Sequence, residues 1–399
     1  MLQHRDELEH ARLTLGEMGP DGDTVAYLNG DVVNVFGGIS GEDVIARIVR
    51  YRRRRRHYTS GIVTEVLEPS PYRIAPPCPY FGPCSGCQWQ HINYHRQLIM
   101  KREAVARELS GYDELRTVSV AETVPSSQKF GYRNHARFTI KEQGAVGFVN
   151  RITRKFVEIG DCMLMHDGIN YILGELQGRS GETSQLSVRY GVKTGEWLVQ
   201  PKLLAGDISV KSGQRHYHEE MLGKLFQIAS PSFFQVNMEQ AERLVILVRD
   251  RLQLTGREDI VDAYTGVGTF AILLAPSAGR VFAIEESDAA LKDAAVNAAG
   301  TDNIEFLKGR VEEVIGELES SPDAVILDPP RAGCHPAVLD AVAHVKPKRT
   351  VYVSCDAATM ARDLKVLTEK GMRVESVEPV DMFPQTHHVE CVATIVVSS

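Results

Sequence analysis

Apolar positions change rhythm twice along the chain. Between residues 21 and 68 they come in short β-branched runs, VAYLNG, DVVNVFG, EDVIARIVRY and TSGIVTEVLE, broken by Gly, Asp and Ser. Such runs predict strands, and several strands in so short a stretch predict a small barrel of a kind that binds nucleic acid. Five prolines in residues 69–79 then mark a stiff boundary. Leu98, Val105 and Leu109 recur at helical spacing and predict a helix within 91–110. The pieces ARFTI, GAVGFV, KFVEIG, SQLSVRY and EWLVQ predict a β-rich central domain. From about residue 237 an amphipathic helix, NMEQAERLVILVRDRLQL, leads into alternating strands and helices through DIVDAY, RVFAIE, NIEFLKG, DAVILD, TVYVSC, RVESVEPV and VECVATIVV. Alternation of this kind predicts a parallel, doubly wound, Rossmann-like sheet with its ligand at the carboxyl ends of the strands. The expected fold class is therefore α/β, with an N-terminal barrel over residues 1–70, a central mixed β-rich domain over 71–229 and the doubly wound domain over 230–399.

Composition narrows the function. At 43% hydrophobic and 24% charged residues the 399-residue chain is ordinary globular protein, not a collagen-like, disulfide-scaffold or disordered one. A net charge of −7 excludes a simple polycation, so any nucleic-acid contact must be a local patch. Arg52 to Arg56, with Arg47 and Arg50 before them, form the obvious candidate. Arg133 and Arg137 in FGYRNHARF form a second basic and aromatic stretch. The N-terminus has no apolar core. Apolar runs such as FAILLA (270–275) fall far short of the ~20 residues of a membrane span. A cytoplasmic protein with no membrane association is expected.

The segment VDAYTGVGTFAILLA reads as strand, glycine-rich turn and helix. Gly266 and Gly268 let the backbone approach a ligand, and helix amides point into the site. Gly266-x-Gly268-x-x-Ala271 also fits a dinucleotide fingerprint, which leaves a nicotinamide oxidoreductase open. Asp262 ends the first strand at the mouth of the loop, where it would repel a pyrophosphate and favour a cationic cofactor such as S-adenosylmethionine. Glu285 ends the second strand, placed to bind ribose hydroxyls. The fourth strand ends in Asp328-Pro329-Pro330-Arg331. Methyltransferases of exocyclic amines usually place an aromatic after this Asp-Pro-Pro, so Arg331 disfavours that reaction.

The fifth strand runs straight into Cys355, a candidate nucleophile beside the cofactor crevice. Glu390 stands at the start of the last strand, near the same edge, after His387 and His388. Thiol plus carboxylate suits C5 methylation of a pyrimidine. The thiolate adds to C6, C5 takes the methyl group, and a base removes the C5 proton before the thiol leaves. Cytosine and uracil both remain open on this ground. Cys334 is a weaker candidate for a second thiol, and Cys391 reads as a core residue.

Taken in order, SPSFFQVN, VDAYTGVGTF, LDPPRAGC, YVSCDAATMARDL and DMFPQTHHVE resemble the serial motifs of RNA uracil-5-methyltransferases. The resemblance covers nearly the whole chain. It implies a class I S-adenosylmethionine methyltransferase sheet, Cys355 as nucleophile and Glu390 as base. It also implies cofactor contacts at Gln235, Tyr264, Glu285 and Asp328, beside Asp262, Gly266 and Thr269 of the glycine-rich strand and loop. The N-terminal β segment resembles a TRAM domain, an RNA-binding barrel. Cys-x-Pro is usual after the thiol strand in this family, whereas here Cys355 is followed by Asp356 and Ala357.

Seven cysteines include three close together, Cys78, Cys84 and Cys87. In such a chain the cluster points to metal or catalysis rather than disulfides. Four thiolates would hold either Zn²⁺ or a [4Fe–4S] cluster. CPYFGPCSGCQWQH resembles the family's iron–sulfur segment, which implies a [4Fe–4S] cluster with Cys162 as fourth ligand. Trp89 and Phe81 beside it are placed to stack on bases or to pack against the cluster. The resemblance further implies structured RNA as partner, 23S ribosomal RNA ahead of the tRNA T-loop; a monomer is expected, although the sequence itself does not speak to oligomeric state. A non-catalytic RNA-binding protein on the same fold is the alternative of another class.

Overall fold

The computed structural model describes residues 9–53, 56–204, 208–318 and 321–397. Strands β1 (His10–Thr14), β2 (Thr24–Leu28), β3 (Asp31–Phe36), β4 (Asp43–Arg53) and β5 (Arg56–Glu68) form one sheet in the order β1-β4-β5-β3-β2. Its outer strands meet where Gly16 N donates to Val25 O and Val25 N to Glu17 O, so the sheet curls on itself. Leu13, Leu15, Val33, Val35, Val44 and Ala46 fill the interior. The first strand was not expected: HARLT has only two apolar positions, and pairing with β4 makes it a strand. Of the run Arg52–Arg56, Arg52 and Arg53 end β4 and Arg56 begins β5, while Arg54 and Arg55 lie outside the described residues.

Helix α1 (Tyr94–Ser110) starts where the Asn93 side chain accepts from Arg96 N at 2.9 Å, capping an otherwise orphan amide. It buries Gln97, Met100, Lys101, Val105 and Leu109, two of them polar. After the two-residue strand β6 (Ser119–Val120) come β7 (His135–Ile140), β8 (Val146–Val149), β9 (Phe156–Glu158), helix α2 (Asp167–Leu176), β10 (Gln185–Tyr190) and β11 (Trp197–Gln200). The five longer strands form an antiparallel sheet, β11-β10-β7-β8-β9, with Ile169, Ile172, Leu173 and Leu176 of α2 in its core. A hairpin of β12 (His216–Met221) and β13 (Lys224–Ala229) follows.

Helix α3 (Met238–Leu252) opens the alternating region: β14 (Asp259–Ala263), α4 (Thr269–Leu274), β15 (Arg280–Glu285), α5 (Asp288–Asn297), β16 (Ile304–Lys308), α6 (Val311–Val314), β17 (Ala324–Leu327), α7 (Pro336–Val345), β18 (Arg349–Ser354), α8 (Ala357–Glu369), β19 (Met372–Val380) and β20 (Glu390–Val397). The sheet order is β16-β15-β14-β17-β18-β20-β19-β6. β20 runs antiparallel to both neighbours, and the strands from β16 to β18 are parallel. Covered on both faces, the central strands read as continuous apolar runs; AVIL of β17 is wholly buried. Each such side chain contributes on the order of 1.5–3 kcal/mol by leaving water. The parallel order reverses at β14, whose neighbours β15 and β17 lead away in opposite directions; in open sheets of this kind ligands bind at such a point, at the strands' carboxyl ends. Among the described residues no helix is long and apolar enough to cross a membrane.

Candidate active site

The loop after β14 is built for close approach. Tyr264, Gly266 and Gly268 all have positive φ, at 67°, 58° and 88°. A Cβ on Gly268 would stand 2.7 Å from Ile272 Cδ1, so packing against α4 as well as backbone shape requires glycine. Asp262 is fully buried and staples this turn: its Oδ2 accepts from Thr265 Oγ1 at 2.6 Å and from Ala271 N at 2.9 Å. Its Oδ1 has no partner. Burial, then the nearby charge of Glu285, pushes its carboxyl up to about 7. Glu285 accepts from Gly266 N at 3.0 Å and from Ser287 N at 2.8 Å, which joins the end of β15 to the glycine loop. Thr269 is the first residue of α4 and half-buried.

The segment that carries Gln235 is tied to the glycine loop by another route. The segment before it is tied to α5, where Asp293 Oδ2 accepts from Ala229 N and Ser232 Oγ. Asn297 of the same helix donates to Val267 O in the glycine loop. Gln235 itself is half-buried, its carbonyl accepting from Asn134 Nδ2 at 3.3 Å.

A second group stands at the ends of β17, β18 and β20. Cys355 follows β18 directly and precedes α8, whose N-cap Asp356 accepts from Thr359 N at 3.0 Å. Burial raises the Cys355 thiol, and Glu390 raises it further; a hydrogen bond from Arg331 works the other way. Glu390 is buried, and burial followed by the charge of Asp328 holds its carboxyl well above the usual range. Asp328 is pushed up to about 7 by burial and by Asp262. Nucleophile and base candidates are thus brought together, 35 residues apart in sequence, because β20 pairs with β18.

Sequence reasoning set Arg331 aside, yet its guanidinium meets His388 Nδ1 at 3.1 Å and lines the same cleft as Cys355, whose thiol it acts to lower. The signal was its place directly after Asp-Pro-Pro at a strand end. The rings of His387 and His388 lie 4.0 Å apart, centroid to centroid, tilted by 41°. Burial, joined by the charge of Arg151 at the first and by His387 and Arg331 at the second, lowers them to about 4 and about 3. Both are therefore neutral at pH 7, and poor bases.

The segment 381–388, which carries these histidines, is anchored by groups far away in sequence. Lys101 is fully buried in an ion pair with Asp381 and also donates to Phe383 O at 3.0 Å. Tyr94 OH donates to Asp381 Oδ2 at 2.7 Å. Gln97 and Gln385 exchange hydrogen bonds at 3.0 and 3.1 Å. Trp89 N donates to Gln385 O at 3.0 Å, and Trp89 Nε1 to Gly22 O of the barrel at 3.0 Å. Gly22 itself lies so close to the His387 ring that a Cβ there would meet it at 2.7 Å. Trp89 is accordingly buried, and Phe81 stacks on Phe36 at 5.5 Å, so both pack rather than present open faces to a base. Of the second basic stretch, Arg137 is exposed, while Arg133 is half-buried and donates to His135 O at 3.0 Å.

A cleft of about 1610 Å³ runs between barrel, α1 and this group. Its walls include Met18 and Ser40 of the barrel, Arg107 of α1, and Arg331, Cys355 and His388. Its lining includes none of the expected cofactor residues. Cys355 lines this cleft, and Asp328, whose carboxyl feels Asp262 and is felt by Glu390, links it to the glycine loop.

All seven cysteines are free. Burial raises the thiols of Cys84, Cys87 and Cys162, the last to about 11, and Cys78 lies near enough to add to each. Tyr80 OH accepts from Gly160 N at 2.9 Å and joins the two segments. Among the described residues, however, no three or more His, Cys, Asp or Glu are drawn into a group able to ligate a metal ion. The expected metal site is in this respect not assembled here.

The model of the tRNA (uracil-5-)-methyltransferase family matches residues 219–323 and 317–396. The chain is 32% identical to an uncharacterized RNA methyltransferase of Halalkalibacterium halodurans, over 96% of each. It is 33% identical to an uncharacterized RNA methyltransferase of Thermotoga maritima, over 98% of this chain and 99% of the relative. The chain belongs to the RNA uracil-5-methyltransferase family. This methyltransferase is also similar to the crystal structure of Pyrococcus abyssi tRNA (uracil-54, C5)-methyltransferase in complex with S-adenosyl-L-homocysteine. The TM-score is 0.73 and the identity 29%, covering 96% of this chain and 99% of that one. The methyltransferase is thus an S-adenosylmethionine-dependent enzyme acting on uracil C5 in RNA, on an α/β methyltransferase fold. The oxidoreductase reading of the glycine loop falls with that assignment.

Proposed function

We propose that this enzyme methylates C5 of a uridine in 23S rRNA through a covalent adduct between Cys355 and C6. The observation that carries the reading is that Cys355 and Arg331 line a cleft whose other wall is a barrel, with the buried Glu390 close enough to act on the thiol. The Cys355 thiolate adds to C6, with Arg331 beside the sulfur to favour the charged form. C5 then carries the electron pair that takes the methyl group. Glu390 removes the C5 proton, the C5–C6 double bond re-forms, and Cys355 leaves as thiolate. Base extraction from the RNA stack precedes these steps.

S-Adenosylmethionine, when bound, supplies the methyl group as a sulfonium. The crevice residues fit it: Asp262 has a buried oxygen without a partner, and Gly266 leaves open space above the loop. Asp262, Tyr264, Gly266, Thr269, Glu285, Asp328 and Gln235 are the proposed cofactor residues. We assign the [4Fe–4S] cluster to Cys78, Cys84, Cys87 and Cys162. The donor chemistry fits four thiols that already sense one another, although they are not gathered to ligating distance. Methyl transfer needs no electron, so the proposed role is to fix the segment that ends in Trp89. Iron and sulfide analysis of anaerobically purified protein tests it. The working division remains barrel 1–70, central segment 71–229 and methyltransferase region 230–399.

Barrel and four-cysteine segment together support ribosomal RNA. The likeness to the tRNA (uracil-54, C5) enzyme over nearly the full length favours tRNA as the second reading. Labelled methyl transfer to unmodified 23S rRNA and unmodified tRNA, offered separately, decides. 5-Methyluridine in rRNA alone is the expected result, and 5-methyluridine in tRNA alone overturns the substrate.

A further inference from the structure

The tail of the YVSCDAATMARDL motif, Arg362-Asp363, has no part in the chemistry above. In the structure it grips the loop that carries Arg331. Asp363 lies on α8 with 1% exposure. Its Oδ2 accepts from Cys334 N and from Tyr352 OH, both at 2.7 Å. Its Oδ1 faces Arg362 at 2.7 Å, and Arg362 Nη2 donates to Ala332 O at 2.8 Å. One turn earlier Thr359 Oγ1 donates to Arg331 O at 3.2 Å. Between them Gly333 has φ 78°, and a Cβ there would stand 2.5 Å from Asp363 Oδ2. Cys334 and Tyr352 share one buried cluster, and Tyr264 of the glycine loop packs against it.

We propose that Asp363 is a positioning residue: from α8 it sets the 331–334 loop so that the Arg331 guanidinium meets the Cys355 sulfur. The helix that begins beside the thiol thereby also delivers the cation that the thiol needs. A carboxylate suits the task because one oxygen takes a main-chain amide and a phenol together while the other holds Arg362. The Tyr264–Cys334–Tyr352 contacts extend the same grip to the cofactor loop. The inference rests on Cys355 being the reactive thiol, and the test separates the two ideas.

The test compares wild type with Asp363→Asn and with Arg362→Met, which lies at the surface and is the more tolerant site. Alkylation of Cys355 by iodoacetamide is followed against pH by peptide mass spectrometry, and kcat and KM for RNA are measured beside it. Asp363→Asn is expected to slow alkylation at neutral pH about tenfold, as the thiol loses its cation. kcat falls with it and KM is unchanged. Arg362→Met shifts both in the same direction by less. Folded variants with wild-type alkylation profiles and kcat, and only a lower melting temperature, overturn the proposal. If Asp363→Asn does not fold, a wild-type profile in Arg362→Met overturns it alone. Slower alkylation with unchanged kcat keeps the positioning role and removes Cys355 as nucleophile.

Discussion

Arg331 and Cys355 share one wall of the cleft, and the guanidinium favours the ionised form of the thiol. It is the cation set against two opposing influences, burial and the carboxyl of Glu390, which together hold the thiol above its ordinary value. Thiolate is thus the minor form at pH 7, and its fraction grows with rising pH. Glu390, also raised, must ionise before it can accept a proton, which adds a second limb of the same sign. Single-turnover methyl transfer should accelerate from pH 6 into the alkaline range, and Arg331→Gln should move that rise to higher pH. A rate flat between about pH 6 and 9 would contradict this arrangement.

Cys355→Ala removes covalent activation and little else, since the side chain is short and half-buried. Methyl transfer should drop by about a thousandfold or more. Binding of RNA and of S-adenosyl-L-homocysteine should stay close to wild type by filter binding and calorimetry. Comparable turnover in the variant would remove the residue from the mechanism.

Cofactor charge should be felt through Asp262. Its carboxyl sits at about 7 without a cation near it, raised by burial above all. A sulfonium favours the ionised form, which dominates above that value; below it the protonated form offers no charge. Affinity for S-adenosylmethionine should therefore rise through neutrality by up to roughly tenfold and then level off. Affinity for the uncharged S-adenosyl-L-homocysteine should not share the rise. Calorimetry between about pH 6 and 8 reads this directly, and parallel curves for the two ligands would count against Asp262 as a charge partner.

Lys101 and Asp381 are both fully buried, with Tyr94 on the same carboxylate. Removing one partner strands the other charge, at a cost of about 3–5 kcal/mol. Lys101→Met should lower the melting temperature markedly, and the double variant Lys101→Met/Asp381→Leu should recover part of the loss. An unchanged melting temperature in the single variant would show that the pair does not anchor the segment before Glu390.

Much of this site is legible in the sequence where local pattern and function coincide. Gly266 and Gly268 follow an apolar strand and precede a helix, and Cys355 ends another such strand, so strand alternation alone places them at one edge. What the sequence hides is long-range. Lys101 and Asp381 are 280 residues apart, and nothing local marks a lysine on α1 as buried. Arg331 reads as a departure from amine methylation until the pairing of β18 with β20 brings a thiol and a carboxyl beside it. β1 escapes notice because its strand character comes from β4, not from its own residues.

Glu390→Gln offers the sharpest test, because it should stop the reaction after the methyl group has moved. An amide in place of the buried carboxyl cannot take the C5 proton, so turnover should slow by about 10²–10⁴-fold and RNA should stay bound through Cys355. After incubation with S-adenosylmethionine and substrate RNA, nuclease and protease digestion followed by mass spectrometry should find a methylated uridine on the peptide that contains Cys355. No adduct at all, or one on another residue, would contradict the account.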